Sequence, residues 1–158
     1  MRHAKSSWDD FSLSDFDRPL NERGEKAAPL MGEILRQKDF LPQGIFSSPA
    51  NRAKTTASIV AESIGYGAKN VRFIESIYES SEFNLLALIK SLDETLSDIM
   101  IVGHNPAFTS VINRLSDFNL VNLPTAGIVS LSFDSAWADI TPYAGELRFY
   151  EYPKKYKE

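Results

Sequence analysis

The chain has 158 residues, a length that fits one domain with a substantial hydrophobic core. Apolar residues make up 43% of the chain and charged residues 24%, which excludes a disordered or fibrous protein. The formal net charge of −4 disfavours nucleic-acid binding, and the absence of cysteine excludes disulfides, thiolate metal sites and a cysteine nucleophile.

The first half of the chain predicts two helices around a short strand. Residues 1–20 are polar and predict a loop. Apolar residues then recur at helical spacing in residues 21–38 and 49–64. Asn21 is the predicted N-cap of the first helix, and Ser48 with Pro49 is predicted to open the second. An apolar strand is predicted between them at residues 44–48.

The second half continues this alternation. Strands are predicted at residues 71–74 and 98–103, with a helix between them. A further helix is predicted after Asn105-Pro106, and a final pair of strands at residues 128–133 and 147–152. Strands that alternate with helices predict an α/β fold, here a three-layer α/β/α sandwich with a mostly parallel central sheet and an antiparallel edge. We expect residues 1–158 to form a single domain.

Both histidines of the chain lie in segments that could carry chemistry. His3 follows Arg2, and His104 follows a buried apolar run in the turn Gly-His-Asn-Pro. Arg52 lies in a similar turn, where a strand leads into a helix. Because such turns meet at the carboxyl edge of a parallel sheet, we expect Arg52 and His104 to converge on one crevice.

These residue types suit a phosphoryl group. Guanidinium groups match phosphoryl oxygens with paired hydrogen bonds, and helix N-termini favour an anion. A neutral imidazole is a competent nucleophile near pH 7, because its ordinary pKa is about 6.5. Two histidines are too few for a histidine-rich metal cage, and we predict neither a metal nor an organic cofactor.

Four segments in order resemble the histidine phosphatase superfamily, whose fold is that of the phosphoglycerate mutases: RHAKS, DRPLNERG, SSPANRAKTT and VGHNP. Within it the chain is similar to the small SixA-like phosphohistidine phosphatases. The resemblance implies that His3 is the nucleophile and that Arg2 and Arg52 clamp the phosphoryl oxygens. It also implies that His104 stabilises the transition state and that Arg18 is a further phosphate or substrate contact.

The resemblance also implies a carboxyl group that protonates the leaving oxygen, and Glu79 is the candidate. A phosphohistidine substrate could dispense with such an acid, since its leaving group is an imidazole that is already protonated near neutral pH.

An apolar strand precedes the Arg-His pair in the family, at the centre of the sheet, whereas only Met1 precedes Arg2 here. Absence of this strand would leave two unpaired strand edges in a parallel sheet, and the sequence leaves open whether further residues precede Met1.

The sequence thus predicts an enzyme that hydrolyses phosphohistidine on a protein or a phosphomonoester through a phosphorylated His3. Few residues are available to wall the site, so we expect an open site that suits a phosphorylated protein. A broad small-molecule phosphatase and a non-catalytic phospho-binding module are the alternatives. No membrane span or secretory signal is predicted, and we expect a cytoplasmic protein. The oligomeric state stays open.

Overall fold

A computed structural model describes residues 1–156 of the chain. Its α-helices are α1 (Glu22–Gln37), α2 (Asn51–Ser63), α3 (Glu82–Lys90) and α4 (Ala107–Leu115). Its strands are β1 (Gly44–Ser47), β2 (Arg72–Phe73), β3 (Ile99–Val102), β4 (Ile128–Ser132) and β5 (Glu146–Glu151). The elements follow the predicted order.

Local signals explain where the first two helices begin and end. The Asn21 side chain accepts a hydrogen bond from the Gly24 amide and caps α1. The prediction that Ser48 and Pro49 open the second helix is wrong by two residues, because α2 begins at Asn51. Gly65 follows α2 with a φ of 78°, a left-handed conformation that favours glycine after a helix.

The central sheet separates two helical layers. Its strands are parallel in the order β2-β1-β3. Ile45 and Met100 pack with α1 and α2 on one face, whereas Phe46 packs with α3 and α4 on the other. Strands β4 and β5 form the antiparallel pair. The predicted three-layer α/β arrangement with an antiparallel edge is confirmed.

The residues around His3 lie between β3 and the start of β4. The Met1 amino group donates to the Ile101 carbonyl at 2.8 Å, and the His3 amide donates to Gly103 at 2.9 Å. On the other side, the Arg2 amide donates to the Gly127 carbonyl at 3.0 Å. His3 is therefore held by backbone hydrogen bonds at the carboxyl edge of the sheet.

Beyond Met1, a slot separates β3 from β4. Both strands are edges of their sheets among the described residues, and an apolar cavity of about 200 Å³ lies between them, lined in part by Met1, Ile99 and Val129. The apolar run before His104 is predicted to be buried, but Ile99 and Ile101 of β3 are only half-buried. The slot leaves one side of β3 without a neighbouring strand.

Candidate active site

His3 is buried at the floor of the site, with 8% of its surface exposed. Its Nδ1 lies 2.7 Å from the Ala4 carbonyl oxygen, which only accepts hydrogen bonds. Nδ1 therefore carries the proton, and Nε2 keeps its lone pair. Burial, followed by the nearby positive charges of His104 and two arginines, lowers the pKa of His3 to about 3. His3 is thus a neutral imidazole with a free nucleophilic nitrogen.

His104 lies beside His3, with 5.1 Å between the ring centroids. Its Nε2 is 2.7 Å from the Ser48 hydroxyl, which itself accepts a hydrogen bond from the Ala50 amide. Because a hydroxyl group has two lone pairs and one hydrogen, Ser48 can bond to either neutral tautomer of His104. The other ring nitrogen, Nδ1, is buried and has no hydrogen-bond partner among the described residues. Burial lowers the pKa of His104 to about 4.

Two arginines complete this cluster. Arg2 donates to the Leu123 carbonyl at 2.9 Å through Nη1, while its buried Nε has no partner among the described residues. Arg52 lies in the first turn of α2 and is 7% exposed. The structure thus brings together the four residues that the sequence places at the centre of the site. An Nε–H can only donate, so Arg2 lacks an acceptor that an oxyanion would supply.

Asp15, which the sequence analysis missed, holds Arg52 in place. Arg52 donates to the Asp15 carbonyl at 2.6 Å and to its carboxylate at 3.0 Å. The Tyr78 hydroxyl donates to the same carboxylate at 2.7 Å, and its ring packs edge-on against His104. Arg18 adds a second ion pair to this carboxylate at 3.0 Å. The segment DRPL was a signal for Arg18, but nothing in the pattern distinguished Asp15 from its neighbours.

Arg18 and Glu79 lie further from the histidines. Arg18 is buried and donates to Ser7, Asp15 and Ser6, and its guanidinium lies 3.2 Å from the Trp8 ring centroid. These contacts fix the loop that carries Asp15. Glu79 is exposed and forms no hydrogen bond or ion pair with the residues that the structure describes. Tyr78, its neighbour, is the residue of this segment that reaches the site. Roles for Arg18 and Glu79 stay predictions.

The low pKa values of the two histidines can be tested directly. Because His3 and His104 are the only histidines, their ring ¹⁵N signals are few and assignable. Both rings are expected to stay neutral at pH 5, where an imidazole of ordinary pKa is mostly protonated. An NMR titration from pH 7 to pH 4 measures this. A ring that titrates near pH 6.5 would contradict the burial argument.

No group of three or more histidine, aspartate or glutamate side chains in residues 1–156 is placed to hold a metal ion. No helix in this part of the chain has the length and apolar character needed to cross a membrane.

Comparisons with known proteins agree with this site. The family model of the histidine phosphatase superfamily (branch 1) matches residues 1–82, a range that includes His3 and Arg52. An uncharacterized chloroplastic protein of Arabidopsis thaliana is 35% identical over 154 residues, covering 92% of this chain and 70% of its own length.

Solved structures extend the likeness over the whole fold. A SixA protein of Agrobacterium tumefaciens, described as a phosphohistidine phosphatase, has a TM-score of 0.83 and 25% identity, with 97% of this chain and 95% of that one covered. The protein histidine phosphatase SixA complexed with tungstate has a TM-score of 0.84 and 20% identity, with coverages of 99% and 97%. Fold and site define an α/β phosphatase. The chain belongs to the histidine phosphatase superfamily, and within it is SixA-like.

Proposed function

We propose that this protein hydrolyses phosphohistidine on other proteins, or phosphomonoesters, through a phosphoryl group carried transiently by His3. One observation supports this most strongly. The neutral His3 imidazole lies beside His104, and both Arg2 Nε and His104 Nδ1 are buried without a hydrogen-bond partner among the described residues. A phosphoryl group supplies the electrophile for His3 and oxygens that accept hydrogen bonds from these two nitrogens.

The first chemical step transfers the phosphoryl group to the enzyme. His3 Nε2 attacks phosphorus in line with the leaving group, the bond from phosphorus to the leaving atom breaks, and its electron pair stays with the leaving atom. Arg2, Arg52 and His104 Nδ1 bind the oxygens on which negative charge accumulates. The Nδ1–H···O contact to Ala4 stabilises the positive charge that develops on the ring.

The second step frees the enzyme. Water attacks the phosphorus of phosphorylated His3, the P–N bond breaks, and inorganic phosphate and neutral His3 are formed. The same donors bind the oxygens again, because both steps pass through the same charge distribution. Glu79 is the proposed acid for ester substrates. Arg18 is proposed as a further contact to the phosphate or the substrate.

The experiment that tests this function is phosphate release from a histidine-phosphorylated carrier protein. The wild type is expected to release inorganic phosphate with multiple turnovers. The rate of release from a small aryl phosphate is measured alongside, as the small-molecule comparison. Faster release from the aryl phosphate than from the carrier would favour the broad small-molecule phosphatase. Tight phosphate binding with no turnover of either substrate would overturn the proposal in favour of a phospho-binding module.

A further inference from the structure

Asp15 presents a carboxylate at the mouth of the site. Its side chain is half exposed, whereas His3 is almost fully buried. Its carboxylate binds Arg52, one of the two proposed phosphoryl clamps, and Tyr78, whose ring packs against His104. In-line attack by His3 requires the leaving group to lie opposite Nε2, on the side open to solvent. Asp15 therefore lies on the side of the leaving group.

The contacts of Asp15 keep it ionised. It accepts hydrogen bonds from Tyr78, Arg52 and Arg18, three donors of which two are cations. These hydrogen bonds and charges outweigh partial burial and lower the pKa of Asp15 to about 2. At neutral pH it has no proton to give to a leaving oxygen. The Tyr78 hydroxyl proton is engaged with Asp15, and burial together with this contact raises the pKa of Tyr78.

An ionised carboxylate at this place has opposite electrostatic effects on oxygen-linked and nitrogen-linked leaving groups. The leaving oxygen of an ester becomes negative as the P–O bond breaks, and a nearby carboxylate opposes that charge. A phosphorylated imidazole instead carries a proton, and a positive charge, on its second nitrogen near neutral pH. When the P–N bond breaks, its electron pair neutralises that ring, and neutral imidazole leaves with its own proton.

We infer that Asp15 is a specificity-determining residue: its carboxylate accepts a hydrogen bond from the N–H of a cationic, nitrogen-linked leaving group and so favours phosphoramidates over phosphoesters. This inference rests on the proposed function and narrows its substrate class. Three of the carboxylate's lone-pair positions are occupied in the structure, which leaves one for the substrate. A phosphohistidine side chain fits this description.

The test compares Asp15→Asn with the wild type on two small substrates. Phosphoimidazole has a cationic nitrogen leaving group, and p-nitrophenyl phosphate has an oxygen leaving group that needs little protonation. The variant is expected to lose about 10- to 100-fold more in kcat/KM on phosphoimidazole than on p-nitrophenyl phosphate, the range for a hydrogen bond to a charged group. The loss on p-nitrophenyl phosphate measures the support that the Asp15 carboxylate gives to Arg52.

Two further variants separate charge from structure. Asp15→Glu keeps the charge and is expected to restore much of the preference for phosphoimidazole. Asp17→Asn, on the same loop and hydrogen-bonded to Ser14, is the matched control and should leave both rates unchanged. Equal losses on both substrates in Asp15→Asn would assign Asp15 a structural role and overturn the inference. Failure of the wild type on both substrates would instead overturn the proposed function.

Discussion

Replacing His3 by alanine is expected to lower phosphate release by about 10⁴-fold or more, because the covalent route has no other nucleophile of the same geometry. The His3 ring makes a side-chain hydrogen bond only to the adjacent Ala4 carbonyl, so the backbone contacts that hold this segment survive the change. A quenched reaction with a ³²P-labelled substrate should give an acid-labile phosphoprotein with the wild type and none with the variant.

His104 is a second imidazole close enough to compete as the nucleophile, since its ring centroid is 5.1 Å from that of His3. The variant His104→Ala therefore serves as the matched control. It is expected to turn over slowly yet still to form the labelled protein, because it keeps the His3 nucleophile. Label on the His3→Ala protein would show that another side chain attacks phosphorus, and the assignment of His3 would then be wrong.

The variant Arg52→Lys is expected to lower kcat/KM by about 100- to 1,000-fold while the protein stays folded. Lysine keeps the positive charge but cannot form the two parallel N–H contacts that a guanidinium directs at phosphoryl oxygens. It also cannot hold both the carbonyl and the carboxylate of Asp15 as Arg52 does. Steady-state kinetics and thermal unfolding together measure the effect.

Arg36 provides the control for this substitution. It lies in the last turn of α1, is exposed and forms an ion pair with Glu33 rather than with a residue of the site. Arg36→Lys is expected to leave kcat/KM unchanged. If Arg52→Lys retained wild-type activity, the guanidinium geometry would be unnecessary and a simple positive charge would suffice.

Much of the fold is readable in the sequence, because local signals and burial agree there. The Asn21 cap and the apolar stripe after it predict α1 nearly to its last residue. The strand predicted at residues 71–74 shrinks to Arg72–Phe73, since its two residues are exposed and pair with β1 over a short register.

The candidate site is readable only in part. Arg2, His3, Arg52 and His104 lie in turns whose positions follow from strand and helix patterns. Asp15 and Tyr78 come from a loop and a short turn with no such periodicity, and they meet 63 residues apart in the chain. The sequence marks Ser48 only as a helix cap, yet its hydroxyl lies 2.7 Å from His104 Nε2 and orients this ring.

The sequence by itself determined the α/β architecture, the pair of histidines and the pair of arginines, because each of these depends on local order and on residue type. Only the tertiary structure decided the protonation of His3 and the place of Asp15 over Arg52. Protonation depends on burial and on which carbonyl faces Nδ1, and a loop's position depends on contacts with distant elements. Neither the protonation of His3 nor the position of this loop can be predicted from the spacing of residues along the chain.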